Sequence, residues 1–309
     1  MIEVKKVSIL LSVYNPNKEF LIKQLKSLDS QTYKNTEILV FDDCPRKRSN
    51  KELFFKYVKK FDIRILEYNN KNVGYSSAFK ILLEQVNHDG YVAFCDQDDI
   101  WLDTKVEEMV NSLEKNNKEF AYCDRKIIDE KDNIIKEHEV NDLIQDFKED
   151  YNKLLVGSPF RTLVPGMSII CSVKFAKSCF DGFDRYAFDK WLSCCALVEN
   201  NYVHVNKELV MYRRHSNNVS GIFNEINSKK EYFEKRVSNH YELIGDLSKK
   251  YPNGNFKIQK EFALDRVNKK ILKMFKYRWI SKRNTLIEIL IILMPNFLFK
   301  YLLKKYRKE

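Results

Sequence analysis

The chain has 309 residues, 44% of them hydrophobic and 13% aromatic, with 8 Gly and 6 Pro; this composition can bury a sizeable core and excludes collagen-like sequence and long disorder. Its formal charge of +11 lies almost wholly at one end, because residues 260–309 carry 14 basic and 4 acidic side chains, a net of +10. That distribution argues against a nucleic-acid-binding body, which needs a basic face on the folded domain, and gives the chain a basic tail suited to an anionic surface.

The first hundred residues alternate. VSILLSV (7–13) reads as a buried strand, 18–30 as an amphipathic helix, EILVFD (37–42) as a second strand and 50–60 as a helix. IRILEY (63–68) follows as a third strand, 74–86 as a helix and YVAFC (91–95) as a fourth strand. Short apolar strands alternating with amphipathic helices predict an α/β fold whose parallel sheet is covered on both faces, with any ligand outside the carboxyl ends of the strands. Each strand ends in polar residues: Ser12-Val13-Tyr14-Asn15, Asp42-Asp43, the stretch from Asn69 to Gly74, and Asp96-Gln97-Asp98-Asp99. These clusters should converge on one edge.

Farther on, the pattern predicts a helix over 103–116, a strand AYCDRKIID with KDN as its turn, and SIICS (168–172) as a strand after Pro165-Gly166. Helices through Cys179 and over 189–200 come next, then a short strand VHV (203–205) and the segment ELVMYRRHSNNVSG. Residues 140–165 show no clear period, and from about Asn227 the chain is helical and basic. Seven Cys, an odd number with no C-x-x-C pair, read as reduced thiols of a cytosolic protein. The apolar run before Asn15, about seven residues, is too short for a signal peptide, so no export is expected.

Three carboxylates within Asp96-Gln97-Asp98-Asp99 repel one another, and a fold tolerates them at a strand end when a cation or a ring of donors shares the site. Mg²⁺ or Mn²⁺ suits such oxygens and completes its shell with water and substrate phosphates. A helix N-cap by Asp98 or Asp99 is the competing reading. Asp189 opens a helix, where it serves either as an N-cap or as a general base. Of the five His, His215 in Tyr212-Arg213-Arg214-His215 is the one with patterned neighbours. Its imidazole suits a metal shell or a diphosphate, and Arg213 or Arg214 suits phosphate oxygens. Gly166 allows a close backbone approach or a plain turn, and Trp101 and Trp191 are candidates for a sugar pocket or for the core.

SILLSVYN, FDDC, NVGYSSAF and FCDQDDIW resemble the N-terminal half of family 2 glycosyltransferases, which have the GT-A fold. PGMSIICS resembles that family's acceptor-side segment, and FDKWLSCCA with YRRHSNNVSG resembles the closing motifs of its rhamnosyltransferase-like members. The resemblance covers residues 5–222. It implies a GT-A catalytic domain with a mostly parallel central sheet over 1–222, divided into a nucleotide-sugar-binding half (1–100) and an acceptor half (101–222). A basic helical extension over 223–309 follows. Ser12, Val13, Tyr14 and Asp43 are thereby placed at the nucleotide base and ribose, with Asn15, Gly74, Gln97, Arg213 and Arg214 joining the donor site. Asp96 and Asp98 become the D-x-D, with Asp98 the direct metal ligand, Asp96 close to the donor ribose or sugar, and His215 completing the shell. Mn²⁺ or Mg²⁺ would neutralise the departing diphosphate. Asp189 becomes the base of an inverting transfer, and Gly166 and Trp191 contact the acceptor. In one departure, the family usually has His or Glu directly before this Asp and here it is Phe188, so that position is not expected to give a second polar contact to the acceptor.

The expectation is an inverting, metal-dependent glycosyltransferase that moves rhamnose or a hexose from a dTDP- or UDP-sugar to a surface-polysaccharide or lipid-linked acceptor at the cytoplasmic face of the cell membrane. A nucleotidyltransferase of similar sheet architecture is the alternative enzyme, but it calls for a Gly-rich, Arg/Lys-bearing loop where this chain has SVYNPNKEF. A non-enzymatic basic protein that binds membrane or nucleic acid leaves DQDD unexplained. In the tail, the apolar stretch 286–303 is interrupted by Glu288, Pro295, Asn296 and Lys300, short of the roughly 20 apolar residues of a spanning helix. With Lys282, Arg283, Lys304, Lys305, Arg307 and Lys308 around it, the stretch fits an interfacial helix on an anionic leaflet; burial in the domain or in a homodimer is the competing reading.

Overall fold

The structure, a computed structural model, describes residues 4–66, 70–215 and 226–307. The chain forms two compact units. Among the described residues, one comprises those up to Asn141 and those from Val164 to His215; the other comprises Asp142–Leu163 and the residues from Ile226 on.

The first unit starts with β1 (Val7–Val13), α1 (Lys18–Asp29), β2 (Thr36–Asp42), α2 (Lys51–Tyr57), β3 (Asp62–Ile65), α3 (Tyr75–Glu84) and β4 (Tyr91–Cys95). The four strands are parallel in the order β3-β2-β1-β4. β1 and β4 are buried nearly throughout, as continuous apolar runs in a sheet covered on both faces must be. Asn17 and Asn50 cap α1 and α2 by accepting backbone N–H bonds. Gly74, at φ +85°, turns the chain into α3 through a conformation that a side chain would strain.

Next come β5 (Ile100–Trp101), α4 (Lys105–Asn116), β6 (Phe120–Ile128) and β7 (Ile134–Glu139), the last two forming a hairpin. After α5 (Asp142–Phe147) and α6 (Tyr151–Gly157), which belong to the second unit, a 3-10 turn leads into β8 (Ile169–Ser172), α7 (Val173–Ser178), α8 (Phe180–Phe183), α9 (Phe188–Val198) and β9 (Tyr202–Arg213). β8 lies antiparallel between β4 and β6, β9 runs parallel to β6, and β5 pairs with the far side of β9.

The register fixes where the site falls. Val13 pairs with Asp42 and Leu11 with Cys95, so the residues after β1, β2 and β4 leave the sheet on one edge, as expected. The end of the expected strand IRILEY, residues 67 and 68, and the first residue of the polar stretch 69–74 lie outside the described residues. Two expected segments merge. VHV and the start of ELVMYRR form the single strand β9, because its register against β6 jumps from Val205 opposite Cys123 to Glu208 opposite Asp124 and absorbs the polar Asn206-Lys207. β5 was not expected, since two residues are too few to show a period.

The second unit adds α10 (Lys229–Tyr232), a π-helical stretch Phe233–Ser238, α11 (Asn239–Lys250), α12 (Lys257–Val267), α13 (Ile271–Lys276), α14 (Lys282–Leu293) and α15 (Asn296–Arg307). Tyr232, Val237, Ile291, Phe299 and Leu303 share one apolar cluster. Arg266 is buried between the rings of Phe160 and Phe262 and donates to Glu288 through Nε (2.8 Å) and Nη2 (2.5 Å). Among the described residues no helix is long and apolar enough to cross a membrane.

Candidate active site

The acidic loop after β4 caps no helix, for the N-cap of α4 is Thr104. Gln97 joins it to the loop after β1: the Tyr14 N–H donates to Gln97 Oε1 (2.7 Å), and Gln97 Nε2 donates to the Tyr14 carbonyl (3.1 Å). Asp98 Oδ2 lies 2.7 Å from His215 Nε2. Asp99 is fully buried; its Oδ1 accepts the Arg213 N–H at 2.9 Å, and among the described residues its Oδ2 has no hydrogen-bond partner. Desolvation, then the charges of Asp98 and Asp189, push the Asp96 carboxyl up to about 7. Burial, with Asp98 and Asp96 beside it, raises Asp99 well above the usual carboxylate range. Beneath them Lys105 is buried with its ammonium over the Trp101 ring, and burial holds its pKa down to about 8 against the pull of Cys123, Cys95, Asp99 and Asp96.

Arg213 does not present its guanidinium to a donor phosphate as expected. The side chain is fully buried under the Phe20 ring; Nε donates to the Asp98 carbonyl (2.9 Å), and Nη1 donates to the Asp129 carbonyl (2.9 Å) and to Asp132 Oδ1 (2.5 Å). Lys23 of α1 also pairs with Asp132. Arg213 therefore ties the acidic loop to the turn of the β6–β7 hairpin and sets the start of the segment that carries His215. Arg214 is exposed and reaches Glu139 at 3.1 and 3.3 Å. The remainder of YRRHSNNVSG, from Ser216 on, lies outside the described residues.

Across the edge, Asp189 sits in the first turn of α9 and not at its N-cap, which is Ala187. Its carboxylate accepts from the backbone N–H of Lys190 (2.7 Å) and of Gly166, yet burial raises its pKa above the usual range. Asp189 is close enough for its charge to raise the Asp96 carboxyl. Gly166 has a packing reason as well, because a Cβ there would lie 2.3 Å from Cζ of Phe188. Phe188 is buried among Phe79, Phe94 and Phe183, so the departure from the family pattern is filled by core packing. Trp191 is corrected from an acceptor contact to a core residue: it is buried, its Nε1 donates to the Cys179 carbonyl (3.0 Å), and its ring covers Gly182 and stacks on Tyr186. Trp101 is buried too.

Asp43 is held by protein donors. Its carboxylate accepts from Asn72 Nδ2 (2.7 Å), the Val73 N–H (2.8 Å) and the Gly74 N–H (2.8 Å), so it shapes the loop that leads into α3. Val13 is buried and its carbonyl accepts the Asp43 N–H (2.7 Å); Ser12 is half-buried, Tyr14 is exposed and Asn15 takes a left-handed φ of +41°. Among the described residues no three or more His, Cys, Asp or Glu side chains already converge as a metal cage. The donor set still suits a hard divalent ion: carboxylates of Asp96 and Asp98, an imidazole at His215, and mutual repulsion that a cation would relieve.

Sequence reading missed the roles of Asp132, Lys23 and Lys105. The turn at Asp132 was legible, but its partnership with Arg213 spans 81 residues and that with Lys23 spans 109, beyond any local pattern. No local spacing pointed to Lys105, because Trp101 lies on β5 and Lys105 opens α4.

The sequence profile described as glycosyl transferase family 2 matches residues 8–177. The chain is 32% identical over 125 residues to an uncharacterized glycosyltransferase of Rickettsia bellii, covering 40% of this chain and 17% of that protein. It is 32% identical over 149 residues to the Escherichia coli protein named UDP-Glc:alpha-D-GlcNAc-diphosphoundecaprenol beta-1,3-glucosyltransferase WfgD, covering 48% of this chain and 54% of that protein. The chain thus spans about half, or less, of the length of these two relatives. Among solved structures, S. aureus TarS in complex with UDP-GlcNAc matches with a TM-score of 0.58 over 85% of this chain and 71% of that one, at 18% identity, a likeness of fold.

Proposed function

The chain belongs to glycosyl transferase family 2 and has the GT-A fold with a helical C-terminal part, and on that premise we propose that it is an inverting, divalent-metal-dependent hexosyltransferase whose donor is a UDP-sugar and whose acceptor is a lipid-linked saccharide. The observation that carries this reading is the Asp189 carboxylate, raised in pKa and facing Asp96 across the edge where β1, β2 and β4 end. Catalysis is assigned to the first unit. The nucleotide lies against the Tyr14 backbone and the loop shaped by Asp43, with Gln97 fastening the Tyr14 side to the acidic loop. Asp189 takes the proton of the acceptor hydroxyl as its oxygen bonds to the anomeric carbon, and the bond to the diphosphate breaks on the opposite face, with inversion. The N–H groups of Gly166 and Lys190 orient that carboxylate. Asp98, with Asp96 and His215 at hand, would hold a divalent ion, which would supply charge neutralisation for the leaving diphosphate.

The E. coli relative's name specifies UDP-Glc and a GlcNAc-diphosphoundecaprenol acceptor, which supports those two as the first substrates to try. The combination DQDDIW with YRRH favours dTDP-rhamnose as a second donor. A lipid-linked acceptor would bring the protein to the cytoplasmic face of a membrane. The test is release of nucleoside diphosphate from UDP-glucose, UDP-galactose, UDP-GlcNAc and dTDP-rhamnose, with a synthetic GlcNAc-diphospho-lipid present, in Mn²⁺, Mg²⁺ or EDTA. UDP should be released with Mn²⁺ and not in EDTA or by Asp98→Ala, and the product should carry the anomeric configuration opposite to the donor's. Full activity in EDTA removes the metal, a retained configuration removes Asp189 as the base, and release of pyrophosphate from UTP and glucose 1-phosphate, with no UDP released from any donor, makes the protein a nucleotidyltransferase.

A further inference from the structure

We propose that α13, α14 and α15 form a docking surface for an anionic lipid bilayer and lie on it without crossing it. An amphipathic helix in a water-soluble domain normally turns its apolar stripe to the core. α14 is apolar beyond the side it buries. Leu286, Leu290 and Leu293, spaced as neighbours on one face, are exposed, the last two at 61% and 67%, while Glu288 of the same helix is buried and held by Arg266. Phe297 is 75% exposed on α15, with Tyr301 one turn on, and Leu272 is 89% exposed on α13. These are not strays from a loose core, because Ile289, Ile291, Phe299 and Leu303 already bury the other side of α14 and α15.

Charge names the occupant. Between residues 271 and 306 there are eight Lys and Arg, all exposed, and one acid, the buried Glu288. A second copy of the chain would set eight like charges against eight with no surface carboxylate on these helices to pair them, since an isologous interface meets its own surface. A leaflet of phosphate headgroups offers both an apolar interior for the Leu and Phe side chains and anions for Lys282, Arg283, Lys304 and Lys305. The chain turns at Met294-Pro295 between the two helices, each 12 residues long, which suits lying in the interface.

The inference goes beyond the reaction proposed above, and its test uses neither donor nor acceptor, so each stands or falls alone. Trp279 is exposed just after α13, whereas Trp101 and Trp191, the other two tryptophans, are buried; a blue shift in tryptophan fluorescence on adding vesicles therefore reports this face. The full chain is titrated with phosphatidylcholine vesicles with and without phosphatidylglycerol, with co-sedimentation in parallel. Binding should need phosphatidylglycerol and weaken steeply with salt. It should drop on the order of a hundredfold in a Leu290→Glu/Leu293→Glu variant and about tenfold in Lys304→Glu/Lys305→Glu, with circular dichroism unchanged. Equal binding to neutral vesicles, no binding to either, or a lipid-free dimer that Leu290→Glu/Leu293→Glu splits into monomers overturns the proposal, the last outcome making this face a contact between copies.

Discussion

At the carboxyl end of β4 carboxylates are drawn into the protein, with Asp99 fully buried, whereas on α14 and α15 Leu290, Leu293 and Phe297 stand in solvent and the acid of α14 goes inside. Both regions invert the usual partition of polar and apolar side chains, but they differ in what holds the inversion in place. A buried carboxylate is costly without partners, so the acidic loop is tied down by Arg213 and by Gln97, and the charge of Lys105 offsets that of Asp96. An exposed leucine needs no tether. Function at the acidic loop should therefore be coupled to stability, and function on the C-terminal helices should be separable from it.

Asp189→Asn carries the largest expected effect. The change is nearly isosteric and should lower kcat by about 10² to 10⁴, the range for loss of a positioned general base, with the dissociation constant for UDP nearly unchanged. Because burial raises the Asp189 pKa, the wild-type rate should fall off on the acid side at a pH above the ordinary carboxylate range, and the variant should lack that limb. Loss of UDP affinity along with rate would move Asp189 into the donor site.

Arg213→Met comes next. It removes the bonds to the Asp98 carbonyl and to Asp132, and a cut buried ion pair costs roughly 3 kcal/mol or more. Asp132 keeps Lys23 and is about a third exposed, which sets the expectation at the low end. Urea melts would measure it, and Asp132→Asn combined with Arg213→Met should cost less than the sum of the two. Strict additivity would mean that the pair does not tie the loop to the hairpin.

Gly166→Ala should cost about 1–3 kcal/mol, the usual penalty for overpacking, because its Cβ would meet Phe188 at 2.3 Å. Phe188→Leu in the same chain should restore part of that loss. No rescue would point to the Gly166 backbone bond to Asp189 as the damaged element.

The parts of the molecule legible in the sequence are those whose signal is local. β1 and β4 were evident from largely apolar runs, and DQDD from like charges crowded at a strand end, which physics disfavours unless something uses them. Trp191 was misplaced although the sequence held the correction: it lies two positions from Asp189 on a helix, and residues so spaced face different ways. Arg213 was read from its motif as a phosphate ligand, and its actual partners, Asp129 and Asp132, come from a hairpin turn far away in sequence. Residues 140–165 had no readable period because the two helices within them, of six and seven residues, are too short for one.

Leu290→Glu should perturb the fold least, and it bears most directly on the contrast between the two regions. Leu290 is 61% exposed on a helix, Glu has nearly the helix propensity of Leu, and the new carboxylate would stay hydrated. Stability should change by no more than about 0.5 kcal/mol, the usual limit for an exposed site, and the midpoint of thermal unfolding should hardly move. Vesicle binding should nevertheless fall, because a charge would be forced toward the acyl boundary. A loss of stability as large as that of Arg213→Met would mean that Leu290 is covered by protein in the native state. The C-terminal helices would then obey the ordinary rule of burial, and the separation between a tethered polar site and an untethered apolar face would fail.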